Sequence, residues 1–163
     1  MRRVISMSMS DIDISAQEYV YMAIHMLANR LQVLGDRFDP TVSSKQWHVL
    51  AVISKFEKAP PNIGDVAYVL GTSRQNIKKI ANILQQRGFI RMEKDRNDMR
   101  SILLHMTEQC AEYYRNREQM EREYLANVFS GLDDNVLHDL KNGMGMLLSN
   151  IEGMLRKGKV DSL

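Results

Sequence analysis

Between residues 62 and 106 the spacing of apolar side chains changes from helical to extended within a short stretch, and few chain paths satisfy that order. Ile63, Val66, Ala67 and Leu70 recur at i, i+3, i+4 and i+7, which predicts a short helix that Asn62 caps and Gly71 stops. Two residues later Ser73 is placed to cap a second helix, whose buried stripe is Ile77, Ile80, Ala81 and Leu84 and which ends by Gly88. Two short helices joined by a tight glycine-containing turn make a helix-turn-helix pattern. Residues 89–92 and 101–106 then read as two strands around the polar tip 94–100. A charged hairpin attached directly behind the second helix of such a motif is a wing.

The flanks are helical. Ser15 and Glu18 have the S-x-x-E spacing that starts a helix, Val20, Ile24, Leu27, Leu31 and Leu34 follow at helical period, and Gly35 with Asp39-Pro40 is expected to end it. Ser43 with Gln46 starts another, with Val49, Val52, Ile53 and Phe56 on one face and Trp47, Leu50 and Ala51 crowding the next, so it is expected to be buried on more than one side. Thr107 should cap a long helix closed by Gly131, with Ala111, Tyr114, Tyr124, Leu125 and Val128 as its buried positions. Asp133 opens the last helix, whose stripe runs from Val136 and Leu137 through Leu140, Met144, Leu147, Leu148 and Ile151 to Met154 and Leu155. The first and last helices carry more apolar face than a small winged lobe covers, and pairing with a second copy of the chain buries it. The expected fold is therefore mainly α with a small β-hairpin wing. It has a winged helix-turn-helix lobe over 41–106, a helical dimerisation region over 15–38 and 107–157, and flexible ends over 1–14 and 158–163.

Composition narrows the function classes. The 163 residues suit one domain with helical extensions, and 44% apolar with 26% charged residues excludes a disordered or fibrous chain. Apolar runs are short of the roughly 20 residues that cross a bilayer. The basic N-terminus meets Asp11 and Asp13 before any sustained apolar stretch, so no secretory signal is expected and the cytoplasm is the expected location. The single cysteine, Cys110, suits a reducing compartment. His25, His48, His105 and His138 are dispersed, no metal-ligand pair or phosphate-binding, nucleophile or dinucleotide motif occurs, and neither an enzyme nor a metal or cofactor is expected. The 12 methionines read as core and interface filling.

Net charge is only +2, but it is unevenly placed: Arg74, Lys78, Lys79, Arg87, Arg91, Lys94, Arg96 and Arg100 face only Glu93, Asp95 and Asp98 between residues 72 and 101. Phosphate is the ligand such a patch suits. With its apolar stripe inside, the second helix of the motif turns Arg74, Gln75, Lys78, Lys79, Asn82 and Gln86 outward, with Asn76 at the flank. Arg74 suits guanine N7 and O6, Gln75 or Asn76 suits adenine, and Lys78 and Lys79 suit phosphates. At the wing, Asp98 is two residues from Arg100, on the same side of an extended strand, and is expected to orient its guanidinium for a narrow minor groove; Arg96 is a second candidate.

In this order, residues 70–88 (Leu-Gly-Thr-Ser-Arg-Gln-Asn-Ile-Lys-Lys-Ile-Ala-Asn-Ile-Leu-Gln-Gln-Arg-Gly) resemble the recognition segment of MarR-type regulators without a gap. The likeness extends through Phe89-Ile90-Arg91, Asp98-Met99-Arg100 and Met106-Thr107-Glu108, and upstream through Gln46-Trp47-His48-Val49-Leu50. The resemblance implies a triangular homodimer that binds an inverted repeat in double-stranded DNA and represses by blocking polymerase. It places Ser73, Arg74, Gln75, Asn76, Lys78 and Lys79 in the major groove, and Arg100, braced by Asp98, in the minor groove. It further implies release by a small aromatic or phenolic effector bound between the dimer helices and the lobe, with Tyr19, His25, Trp47 and Tyr68 as candidate lining. Met99 stands where the family often has arginine, Gly64 is expected to weaken the helix before the turn by about 1 kcal/mol relative to Ala, and Cys110 stands where glycine is common. A winged module that binds protein instead of DNA, and a regulator responding to metal or redox state, are the alternatives.

Overall fold

A computed structural model describes residues 13–160 of the chain. The expected flexible ends fall largely outside it, at 1–12 and 161–163. Among the described residues six helices and one hairpin follow in order: α1 (Ala16–Phe38), α2 (Ser44–Ile53), α3 (Ile63–Val69), α4 (Arg74–Gln86), β1 (Ile90–Lys94), β2 (Ile102–Met106), α5 (Glu108–Val128) and α6 (Asp134–Val160).

The helix starts are set by reciprocal capping. Ser15 accepts from the Glu18 N–H at 3.3 Å, and the Glu18 carboxylate accepts from the Ser15 N–H at 2.9 Å. Ser43 with Gln46 and Asn62 with Asp65 repeat the arrangement at α2 and α3. Each box satisfies backbone donors that the first helical turn leaves without partners. Asn62→Ala is expected to cost about 1 kcal/mol, lowering the melting temperature by roughly 2–4 °C. A calorimetric scan checks it, and an unchanged transition would remove this cap from the account.

α1 ends at Phe38 with Asp39 as its C-cap, where Asp39-Pro40 is expected to end it, while Gly35 lies inside the helix and does not stop it. A Cβ at Gly35 would lie 3.2 Å from both Cβ and Oγ of Ser44, so this glycine permits the close approach of α1 to the start of α2. One expected boundary is corrected: α2 ends at Ile53, before Phe56, as the Ser54 hydroxyl donates to the Ala51 carbonyl and Lys55 and Phe56 turn back onto Val52 and Ile53. Phe56 consequently sits exposed in the loop, outside the apolar face to which the periodicity assigned it.

The chain divides between Tyr113 and Tyr114 into two compact units. In the first, Val49, Leu50 and Ile53 of α2, Val66 and Ala67 of α3, and Ile77, Ala81 and Leu84 of α4 bury against Phe89, Ile90 and Leu104 of the hairpin. β1 and β2 pair antiparallel, from Ile90 opposite Met106 to Lys94 opposite Ile102. The segment before α3 adds a short third rung, with Asn62 bridging Leu103 and the Leu104 N–H donating to the Pro61 carbonyl at 2.9 Å. Thr107 ties the hairpin to α5: its hydroxyl donates to the Gly88 carbonyl at 2.6 Å and accepts from the Cys110 N–H at 3.2 Å. Gly88 itself has φ +78°, open to glycine at little cost, and a Cβ there would lie 2.4 Å from the Gln109 side chain.

In the second unit, Asp133 caps α6 by accepting from the Val136 N–H at 2.9 Å. α6 keeps Val136, Leu140, Met144, Leu147, Leu148, Ile151, Met154 and Leu155 exposed over its length, and Leu125 of α5, expected inside, is exposed as well. In the first unit α1 shows a similar row, Val20, Leu27, Leu31 and Leu34. Within one chain α1 groups with the lobe, so a joint dimerisation region of 15–38 and 107–157 is a property to be proposed of two chains.

Candidate nucleic-acid interface

α4 is anchored on one side and open on the other. Ile77, Ala81 and Leu84 are buried and Ile80 half-buried, while Arg74, Gln75, Asn76, Lys78, Lys79, Asn82 and Gln86 stand exposed. Ser73 caps the helix by accepting from the Asn76 N–H at 3.1 Å and retains its own O–H for another acceptor. The Asn76 amide donates to the Thr72 hydroxyl at 3.1 Å, so one of its donors is engaged in closing the turn.

Arg74 rests on α3. A Cβ added to Gly64 would come within 3.3 Å of the Arg74 Nε and 2.9 Å of the Asn62 Oδ1. Gly64, which helix propensity marks as a weak point, is therefore the gap that accommodates both the α3 cap and the Arg74 guanidinium.

The wing tip is a hydrogen-bonded turn. The Ser101 N–H donates to the Asp98 carbonyl at 2.8 Å and the Asp95 N–H to the Ser101 carbonyl at 3.1 Å. The Asp98 Oδ1 accepts from the Arg100 N–H at 3.1 Å and lies 3.4 Å from the Arg100 Nε. Asp98 and Arg100 do meet, but through an Asx turn and not along an extended strand, because a carboxylate two residues back reaches the backbone N–H only where the chain bends. The Arg100 side chain is 94% exposed. Below the tip, Glu93 accepts from Arg91 and lies 3.7 Å from the His105 Nε2; the Arg91 guanidinium, with smaller help from His105 and Arg96, holds the Glu93 carboxyl below its ordinary range. Arg91 is thereby occupied within the hairpin.

These parts converge. A cleft of about 620 Å³ is lined by Asn62, Ile63 and Gly64 at the start of α3, by Arg74, Gln75 and Lys78 of α4, and by Asp98, Arg100, Ser101 and Ile102 of the wing. Three cations thus face one carboxylate across a concavity. Ser73, Asn76, Lys79 and Arg96 stand outside it, on the exposed flank of α4 or at the tip. The contribution of residues 62–64 was not visible in the sequence, because long-range pairing of Pro61 and Asn62 with Leu104 and Leu103 brings the start of α3 to the wing.

The candidate effector residues are dispersed. Tyr19 and His25 are exposed on α1, where His25 meets Tyr21 edge-on at 4.9 Å, Trp47 is half-buried and meets His48 at 5.4 Å, and Tyr68 is 67% exposed. None of the four lines the cleft or the second cavity of about 330 Å³ between the end of α2 and β2.

Among the described residues no group of His, Cys, Asp and Glu could hold a metal ion, and no helix is long and apolar enough to cross a membrane. Cys110 is fully buried, and loss of solvation pushes its thiol up to about 11. A neutral thiol is a poor nucleophile. At pH 7.5 iodoacetamide should leave Cys110 unmodified in the native protein and label it once denatured, with mass spectrometry as the readout; fast native labelling would revive the redox alternative.

The MarR family profile matches residues 39–101, which span α2 to the wing. Over 159 residues the chain is 26% identical to the transcriptional activatory protein BadR of Rhodopseudomonas palustris, covering 95% of this chain and 89% of that one. It is also 26% identical over 141 residues to the transcriptional repressor MprA of Escherichia coli, covering 86% and 78%. The lobe from α2 to the wing is thus similar to MarR-family proteins. The two relatives are a transcriptional activator and a transcriptional repressor, the class of protein to which this chain is similar. The fold of the chain matches a MarR/EmrR family regulator from Acinetobacter sp. ADP1, with TM-score 0.74 at 16% identity over 86% of this chain and 99% of that one. A MarR regulator from Methanosarcina mazei matches with TM-score 0.73 at 19% identity, over 84% and 99%.

Proposed function

We propose that this regulator binds double-stranded DNA as a homodimer in the cytoplasm, each lobe reading one half of an inverted repeat. The observation that carries the reading is the single concavity joining Arg74, Gln75 and Lys78 of α4 to Arg100 of the wing. A phosphate ridge seated there would lead α4 into the major groove on one side and the wing into the minor groove on the other. Ser73, Arg74, Gln75 and Asn76, at the N-terminal end of α4, are the base-facing set, Lys78, Lys79 and Arg96 hold phosphates, and Asp98 aims Arg100. The exposed apolar rows on α1 and α6 support pairing of two chains, since a two-fold copy would bury both.

Repression follows where the operator overlaps the polymerase footprint. A small aromatic or phenolic effector, the ligand class the resemblance implies, would act by changing the separation of the lobes, because two lobes grip one duplex at one spacing only. No metal or cofactor is required.

Salt dependence tests the reading against a protein-interaction module. Lys78, Lys79, Arg96 and, from the minor groove, Arg100 of each lobe would release the counterions of about eight phosphates in the dimer, so log K for a mixed-sequence duplex should fall with log salt at a slope near −7. A slope near zero would favour the interaction module.

A further inference from the structure

The wing tip holds one residue that electrostatics does not explain. Residues 94–100 are charged or amide side chains except Met99, which is 64% exposed. The bond from the Ser101 N–H to the Asp98 carbonyl puts Met99 and Arg100 at the two central positions of a formed turn, so Met99 is held out in water by the same geometry that presents Arg100. Consecutive Cα atoms lie about 3.8 Å apart, less than the roughly 6 Å width of a minor groove. A groove that admits Arg100 therefore meets Met99 as well. An unbranched thioether is flexible enough to flatten on a groove wall or press on a base step.

We propose that Met99 is a minor-groove wedge that Arg100 carries against the duplex, favouring a deformable pyrimidine–purine step beneath each wing. Such steps unstack and kink readily, and apolar side chains at a minor groove exploit this. The inference rests on the DNA reading proposed above and adds to it a specificity residue that carries no charge. Its signature is accordingly independent of salt: the thioether displaces water but no counterions.

The test compares the parent protein with Met99→Ala and Met99→Arg, after confirming equal melting temperatures. Sites are selected from random duplexes. The enriched sites are then titrated at two salt concentrations with the step under the wing changed from TA to AA, and bending is followed by energy transfer between end labels. Met99→Ala should lose about 5–10-fold in affinity with an unchanged salt slope, bend the duplex less and no longer distinguish the steps. Met99→Arg should steepen the slope by about 1.8 per dimer and also lose the step preference. If the parent enriches a site and Met99→Ala selects and binds it identically, the wedge is wrong while DNA reading stands. A parent protein that enriches no site overturns the DNA reading and the wedge with it.

Discussion

Replacing Arg100 by Ala should weaken binding to the preferred duplex by about 100-fold and reduce the magnitude of the salt slope by about 2 per dimer. The size of the effect comes from repetition: each wing would insert one guanidinium, and the dimer has two. The side chain is 94% exposed and pairs with Asp98 of its own turn, so the variant should melt with the parent and form the same dimer. Asp98→Asn keeps the Asx turn but removes the carboxylate charge, and should produce a smaller loss, about tenfold, by leaving Arg100 present but less well aimed. Fluorescence anisotropy with a labelled duplex measures both. Parent-like affinity in Arg100→Ala would remove the wing from the interface.

Charging the α6 stripe should have the second large effect. Leu147 and Ile151 are one turn apart and both exposed within a chain. If a second chain covers them, Leu147→Glu with Ile151→Glu places two carboxylates from each subunit in an apolar contact, where an unpaired charge costs several kcal/mol. The dimer dissociation constant should rise at least 1000-fold, giving single chains at micromolar concentration in sedimentation velocity. DNA affinity should collapse with it, because each lobe then binds a half-site without the other's effective concentration. Circular dichroism should retain a helical spectrum, since both positions are solvent-facing in the single chain. A variant that sediments as the parent does would place the subunit contact elsewhere.

The features read correctly from sequence are the local ones. Ser15, Ser43, Asn62 and Ser73 cap helices through partners two or three residues away, so the signal and the contact share one short window. Ile77, Ala81 and Leu84 were legible because a helix buried on one side imposes its period on the residues themselves. What depended on distant chain was not. Gly35 looks like a stop until Ser44 is seen against it, and Gly64 looks like a weak point until Arg74 and the Asn62 side chain fill the space a Cβ would take. The early end of α2 came from Ser54 bonding back to Ala51, an ending that an apolar period running on to Phe56 conceals. The cleft escaped for the same reason: its three walls come from the start of α3, from α4 and from the wing, and the pairing of Pro61 and Asn62 with β2 that joins the first to the last spans about forty residues of sequence.

The central claim is that two copies of the α4 face and wing read one duplex together. Selection of preferred sites from random double-stranded DNA tests it most directly. The account predicts an inverted repeat whose half-sites lie about 10 base pairs apart, centre to centre. Enrichment of a single asymmetric half-site, or of no sequence at all, would contradict it.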